Sequence, residues 1–201
     1  AMFRDADNLV RREKLLRSQS TRSGIVQTMM TLLEARDFIT EGHAERLESL
    51  VSGLAEWIGF SPNRLGDMKL FAKFHDIGKV GISDRILFKP GALDAAEREE
   101  MCRHSEIGYR IALSSGDLVH IAEWILRHHE WWDGGGYPIG LAGEAIPMEC
   151  RILSIADAFD AMTSDRPYRK AMSASVAMQE LRRFAGHQFD PSLLDPFEQL
   201  L

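Results

Sequence analysis

The chain has 201 residues, of which 45% are hydrophobic and 27% charged, as is ordinary for a globular protein. Its formal net charge of −6 argues against general nucleic-acid binding, although a local basic cluster can still hold a small anion. No apolar stretch is long enough to span a bilayer and no secretory signal is visible. We therefore expect a cytoplasmic protein without membrane contact in this fragment, whose two cysteines are reduced thiols.

The spacing of apolar residues predicts helices almost throughout the chain. Ser61-Pro62 forms a typical helix start, and Asp94 with Glu97 matches a capping box. In chain order, helices are predicted over 5–36, over 40–59, from 61, from 94 through 111, over 117–130 and from 147, with short closing helices from 173 and 190. No segment shows the alternation of a strand. The expected fold is all-α, a compact multi-helix bundle over 37–201 preceded by a linker helix within 1–36.

Histidines are the first candidates for function. His128 and His129 are adjacent, and neighbouring residues of a helix point about 100° apart, so the pair suggests two metal ions rather than one. Four histidines lie on or beside the apolar faces of four different predicted helices: His43, His75, His104 and His128. Burying each unpaired would cost about 1–3 kcal/mol, and a shared metal site in the bundle core removes that cost. His120 and His187 fit no such stripe, and we interpret both as surface or structural residues.

Three aspartates complete the candidate site. Asp76 follows His75, and a carboxylate at this place can bridge two ions while the imidazole binds one. Asp157 lies in an apolar helical run, where an unpaired charge would be costly. Asp160 is its i,i+3 neighbour and is expected either to support a ligand or to face the substrate.

Several motifs resemble those of the HD-GYP domain, a branch of the HD superfamily of metal-dependent phosphohydrolases. The similarity covers roughly residues 35 to 200. The matching stretches are His75-Asp76-Ile77-Gly78-Lys79, Ile86 to Gly91, His104 to Gly108, His128-His129-Glu130 with Asp133 to Pro138, Arg151 to Leu153, Asp157 with Asp160-Ala161, Asp165 to Ala171, and Phe189-Asp190-Pro191.

This resemblance implies a dinuclear metal site in the bundle core with Asp76 as the bridging ligand. The implied ligands are His43, His75, Asp76, His104, His128, His129 and Asp157. Some family members hold a third metal with a glutamate at the position of Ile39, which cannot ligate, so two ions are expected here. Imidazole and carboxylate ligands without thiolate favour iron or manganese over zinc.

The family's activity is a cyclic di-GMP phosphodiesterase, in which a metal-bridging hydroxide opens the ring to pGpG, usually cut further to GMP. Asp76 and Lys79 are then the implied catalytic residues. The candidate substrate-binding residues are Lys79, Gly136, Tyr137, Asp160, Arg166 and Arg169. The alternatives are hydrolysis of another cyclic dinucleotide or nucleotide, and a non-catalytic module that senses nucleotide or docks a partner. Tyr137 is expected to contact either the nucleotide or a protein surface.

The N-terminal segment resembles the last helix of a GGDEF diguanylate cyclase domain, in the stretch Phe3 to Val10 and in Arg12-Glu13-Lys14. This similarity predicts an upstream GGDEF or sensor domain. The segment within 1–36 would connect the domains and offer a homodimer contact. A generic amphipathic linker helix is the alternative.

Overall fold

The computed structural model describes residues 42–165 and 170–201, together with the isolated positions 24, 28 and 31. Nine α-helices lie within these ranges: α1 His43–Trp57, α2 Pro62–Phe74, α3 Asp84–Leu87, α4 Ala95–Cys102, α5 His104–Ser114, α6 Ala122–Arg127, α7 Met148–Thr163, α8 Ala174–Arg183 and α9 Leu194–Leu200. Short 3₁₀ turns occur at Ile77–Gly81, Val119–Ile121, Gly143–Ala145 and Pro191–Leu193.

The all-α prediction is confirmed, because the described ranges contain only isolated β-bridges and no sheet. None of their helices combines the length and apolarity needed to cross a bilayer. The predicted helix over 5–36, and with it the proposed linker and its likeness to a GGDEF domain, lies outside the described residues apart from those isolated positions.

A single hydrophobic core organises the described helices. Helix α1 packs against α2 and α7, α7 packs against α8, and α9 closes the bundle against α1. Along α1, Leu47, Val51 and Leu54 are fully buried, as the i, i+4, i+7 spacing of an amphipathic helix requires. The core continues through buried side chains of the other helices, among them Met68, Phe71, Ile125, Ile152, Ile155, Leu181 and Phe197.

Two predicted helix boundaries are wrong. In both cases the boundary in the structure lies next to a histidine, which is thereby at a helix end. The expected helix from 94 through 111 divides at Arg103, so that His104 begins α5. The helix expected over 117–130 starts with a 3₁₀ turn and ends at Arg127, so that His128 caps α6. The capping box of Asp94 and Glu97 is confirmed, with both reciprocal hydrogen bonds present.

A close backbone approach holds the segment after Asp76 against α5. A Cβ atom added at Gly78 would lie 1.9 Å from the carbonyl oxygen of His104 and 2.5 Å from the amide nitrogen of Gly108. Gly78 therefore allows Asp76 and His104 to come together, which no residue with a side chain would permit without backbone movement.

We predict that Gly78→Ala lowers the free energy of unfolding by about 1–3 kcal/mol or more, since the methyl group has to displace backbone atoms. Urea denaturation measures this change. Gly66→Ala is the matched control, because Gly66 lies within α2 and a Cβ there meets nothing within 4 Å. The free energy of unfolding of this control should rise by about 0.5–1 kcal/mol, because alanine favours a helix more than glycine does. Equal effects of the two substitutions would contradict the packing argument.

Candidate metal centre

Helix ends orient three of the predicted histidine ligands. In each, Nδ1 donates to the backbone carbonyl three residues earlier: His75 to Ala72 at 2.8 Å, His104 to Met101 at 2.8 Å, and His128 to Ile125 at 2.7 Å. The last carbonyls of a helix lack partners within it, so they are available to accept these bonds. A ring whose Nδ1 carries the proton presents an unprotonated Nε2, the form that binds a metal ion.

The first cluster contains four of the seven predicted ligands. One donor atom from each of Asp76, His104, His128 and His129 lies within 4.8 Å of the other three. The Nε2 atom of His104 is 3.3 Å from that of His128 and 3.1 Å from that of His129. Two unprotonated nitrogens at this distance repel unless a proton or a cation lies between them, so the donor set fits a metal ion.

The second cluster contains the remaining three ligands, with donor atoms of His43, His75 and Asp157 again within 4.8 Å of one another. Nε2 of His43 lies 3.8 Å from Oδ1 of Asp157. The side chain of Asp157 is 37% exposed, whereas those of His104 and His128 are 2% exposed. This cluster therefore forms the more open side of the centre.

Asp76 lies between the two clusters. Its Oδ2 is 3.3 Å from Nε2 of His75, and its Oδ1 is 3.4 Å from Nε2 of His104 and 3.8 Å from that of His128. Each carboxylate oxygen thus faces a different cluster, which is the arrangement that a bridging ligand requires. All seven predicted ligands are brought together.

Burial and charge determine the protonation of the ligands. Burial lowers the pKa of His104 to about 4 and holds that of His129 well below its usual value, so both rings are neutral at pH 7. Burial also disfavours the charge of His75, but Asp76 outweighs it and raises the pKa of His75 to about 9. Although burial opposes the charge of Asp76, Lys79 and His75 hold its pKa well below the usual range.

His43 is oriented by a carboxylate rather than by a backbone carbonyl. Its Nδ1 lies 2.7 Å from Oδ2 of Asp160, which is buried and also bonded to Arg46. Burial would raise the pKa of Asp160, but its hydrogen bonds to His43 and Arg46 lower it. Both oxygens of Asp160 are thereby engaged, so of its two predicted roles the geometry favours support of a ligand over contact with substrate. Sequence reasoning missed Arg46.

The loop of the Gly-Tyr-Pro motif is attached to the centre through Glu130. This buried carboxylate accepts hydrogen bonds from the backbone amides of Ile139 at 2.8 Å, Gly140 at 3.0 Å and Leu141 at 2.8 Å. A Cβ at Gly136 would lie 2.3 Å from the amide nitrogen of Trp131, so the loop folds back tightly on the segment after His129. Glu130 belongs to the motif recognised in the sequence, but the sequence did not predict that its carboxylate binds the backbone amides of the loop.

Tyr137 covers a predicted metal ligand. Its ring lies 4.8 Å from that of His129 at an interplanar angle of 30°, and the Tyr137–Pro138 peptide bond is cis. Burial raises the pKa of Tyr137 well above its usual value, and the neighbouring Cys102 adds to this effect. Tyr137 therefore contacts protein within its own chain as a neutral phenol.

Of the three basic residues expected to bind substrate, the structure describes only Lys79. Nζ of Lys79 lies 2.8 Å from Oδ2 of Asp76, at the centre itself. Arg166 and Arg169 lie outside the described residues. The two histidines interpreted as surface or structural belong to neither cluster: His120 pairs with Asp67 at 3.0 Å, and His187 pairs with Asp133.

Comparison with known proteins agrees with the motifs. A cyclic di-GMP phosphodiesterase from Thermotoga maritima is 40% identical over 178 residues, which cover 88% of this chain and 48% of the relative. The 3′3′-cGAMP-specific phosphodiesterase 2 from Vibrio cholerae is 37% identical over 179 residues, covering 88% of this chain and 34% of the relative. The chain thus spans half or less of the length of these curated relatives.

The fold has counterparts among solved structures. Bd1817, an HDG"Y"P protein from Bdellovibrio bacteriovorus, superposes with a TM-score of 0.63 at 16% identity, covering 90% of this chain and 61% of that one. A family model described as the HD domain matches residues 27–193, a range that contains both clusters. The resemblance inferred from the motifs is confirmed, and the chain belongs to the HD domain family.

Proposed function

We propose that the chain is a metal-dependent phosphodiesterase that hydrolyses cyclic di-GMP to pGpG, GMP or both. The position of Asp76, with one carboxylate oxygen facing each donor cluster, is the observation that carries this proposal. A relative named cyclic di-GMP phosphodiesterase that is 40% identical over 88% of this chain supports the choice of substrate.

Two divalent ions, iron or manganese, are the proposed cofactors. The clusters offer imidazole nitrogen and carboxylate oxygen without thiolate, a donor set that suits these metals. Such ions, when bound, would lower the pKa of a water molecule and neutralise the negative charge of a phosphodiester. Backbone carbonyls fix the ring orientation of His75, His104 and His128, so their Nε2 atoms already face the centre, and a metal ion would displace the Nε2 proton of the charged His75.

The chain's own residues would bind and orient the substrate around this centre. The ammonium group of Lys79, beside Asp76, is proposed to bond to a phosphate oxygen. Arg166 and Arg169 are proposed to contact phosphate or guanine edges from the segment after α7. Gly136 and Tyr137 are proposed to form the rim that faces the nucleotide. An upstream GGDEF or sensor domain, a homodimer and a cytoplasmic location remain predictions from the sequence.

Hydrolysis of 3′3′-cGAMP is the second candidate, favoured by the 37% identity to a phosphodiesterase named for that substrate. We predict that the purified chain with Mn²⁺ linearises cyclic di-GMP with the higher kcat/KM when both dinucleotides are assayed at equal concentration by chromatography of the products. A preference for 3′3′-cGAMP would replace the first candidate by the second. No turnover of either substrate, with binding retained, would instead favour a sensing module.

We predict that Asp76→Ala abolishes hydrolysis and lowers the metal content. Losing the ligand shared by both clusters removes several kcal/mol of transition-state stabilisation, equivalent to a fall in kcat of about 10³-fold or more. Product assays and elemental analysis of anaerobically purified protein measure the two effects. Asp67→Ala is the matched control, because Asp67 pairs with His120 outside both clusters. Unchanged turnover in Asp76→Ala would refute the mechanism, and three metals per chain would refute the dinuclear centre.

We predict that Lys79→Ala lowers kcat/KM by about 10–100-fold while the metal content stays constant. A hydrogen bond to a charged group contributes about 1.5–3 kcal/mol, and each 1.4 kcal/mol corresponds to a tenfold change. Steady-state kinetics with cyclic di-GMP measures the effect. Lys69→Ala serves as control, because Lys69 pairs with Glu48 at 3.2 Å away from either cluster. A loss of activity that follows a loss of metal would assign Lys79 to the centre's integrity instead of to phosphate binding.

A further inference from the structure

His43 differs from the other helix-end ligands in the partner of its Nδ1 atom, since even His104, which begins α5, reaches the backbone carbonyl of Met101. His75 and His128 cap the C-terminal ends of α2 and α6, where backbone carbonyls accept hydrogen bonds from their Nδ1 atoms. His43 is the first residue of α1, and a helix N-terminus offers unpaired N–H groups instead of carbonyls. The carboxylate of Asp160, 2.7 Å from Nδ1, takes the place of the missing carbonyl.

Arg46 fixes this carboxylate in two directions. Its Nε lies 2.5 Å from Oδ1 of Asp160 and its Nη2 lies 3.1 Å from Oδ2, a forked contact that determines the plane of the carboxylate. Nη2 also donates to Oγ of Ser164 at 2.9 Å, one residue after α7 ends. Arg46 and His43 are i,i+3 neighbours on α1, so both reach the same side of α7.

We propose that Arg46 is a positioning residue of the metal centre: by holding Asp160, it fixes the tautomer and direction of His43 and so controls metal binding at the cluster of His43, His75 and Asp157. This inference rests on the proposed metal-dependent function. Besides the shared oxygen of Asp76, this cluster has three donors among the described residues, and Asp157 is partly exposed, so disorder of His43 leaves two. The four-donor cluster contains neither His43 nor Asp160. Loss of Arg46 should therefore weaken metal binding at one site and spare the other.

A purely structural function would make Arg46 an ion-pair clamp between α1 and α7. Arg64 is a matched control for such a structural function. Its Nε lies 2.7 Å from Oε1 of Glu149, so this ion pair joins α2 to the same helix α7. The two arginine side chains are 41% and 45% exposed, and their carboxylate partners are 3% and 6% exposed. Glu149 belongs to neither cluster, so Arg64→Met removes a similar ion pair without a link to a ligand.

The test is equilibrium binding of Mn²⁺ to chelator-treated protein, with thermal denaturation of each variant. The wild type and Arg64→Met should bind two ions. Arg46→Met should keep one ion at the wild-type affinity and bind the second about 10–100-fold more weakly, the usual cost of losing a residue that orients a ligand. Arg46→Lys, which keeps the charge but not the fork, should fall between them. The proposal would be overturned if Arg46→Met bound both Mn²⁺ ions with the wild-type affinities. It would also be overturned if Arg64→Met weakened binding of the second ion as much as Arg46→Met does.

A second variant keeps the test valid if Arg46→Met fails to fold. Asp160→Asn removes the charge that Arg46 holds, so it should weaken the same site, and adding Arg46→Lys should cause little further loss because both residues act through His43. If the losses of Mn²⁺ affinity caused by Asp160→Asn and Arg46→Lys added up in the double variant, the proposal would be overturned. A wild type that binds two Mn²⁺ ions but hydrolyses no cyclic dinucleotide would defeat only the proposed function. An active wild type with intact two-site binding in Arg46→Met would defeat only this inference.

Discussion

A buried imidazole needs a partner for each ring nitrogen, and the arrangement of the helices around the centre follows from this requirement. At His75, His104 and His128, a carbonyl near the end of a preceding helical turn accepts a hydrogen bond from Nδ1, which directs Nε2 towards the site of a metal ion. These three predicted ligands therefore lie next to the ends of α2, α4 and α6, and those helix ends determine where their Nε2 atoms meet. The geometry of the site is in this sense a property of the helix boundaries.

Electrostatics then makes the two clusters depend on each other. Burial keeps His104 and His129 neutral, whereas His75 and Asp76 are charged next to one another. Without a cation, the nitrogens of the four-donor cluster repel at 3.1–3.3 Å, and the buried charge of Asp76 relies on Lys79 and His75. A cation at each cluster would remove the repulsion between the nitrogens and compensate the charge of Asp76, because Asp76 contributes one carboxylate oxygen to each cluster.

Local signals predicted the all-α fold and six of the seven residues that the two clusters bring together, whereas the resemblance to the HD-GYP domain added His129 to the predicted ligands. Histidines on apolar helical stripes, and Asp157 in an apolar run, are visible within a few turns of helix. The division at Arg103 was missed because Met101, His104 and Ile111 keep helical spacing across it, and periodicity does not detect a break of one residue. The link between Arg46 and Asp160 joins residues 114 positions apart, and no local pattern pairs them. Glu130 was in a recognised motif, but its function depends on the path of the loop backbone.

Direct contacts connect the Gly-Tyr-Pro loop to the predicted ligand His129. Glu130 directly follows His129 and holds the amides of Ile139 and Leu141, while the ring of Tyr137 lies against that of His129. The tight approach of Gly136 to Trp131 leaves no space for the loop to shift inward. Displacing the rim therefore requires breaking buried hydrogen bonds to a carboxylate, each of which contributes about 1.5–3 kcal/mol. A nucleotide or a protein that presses on this loop would therefore act directly on the orientation of His129.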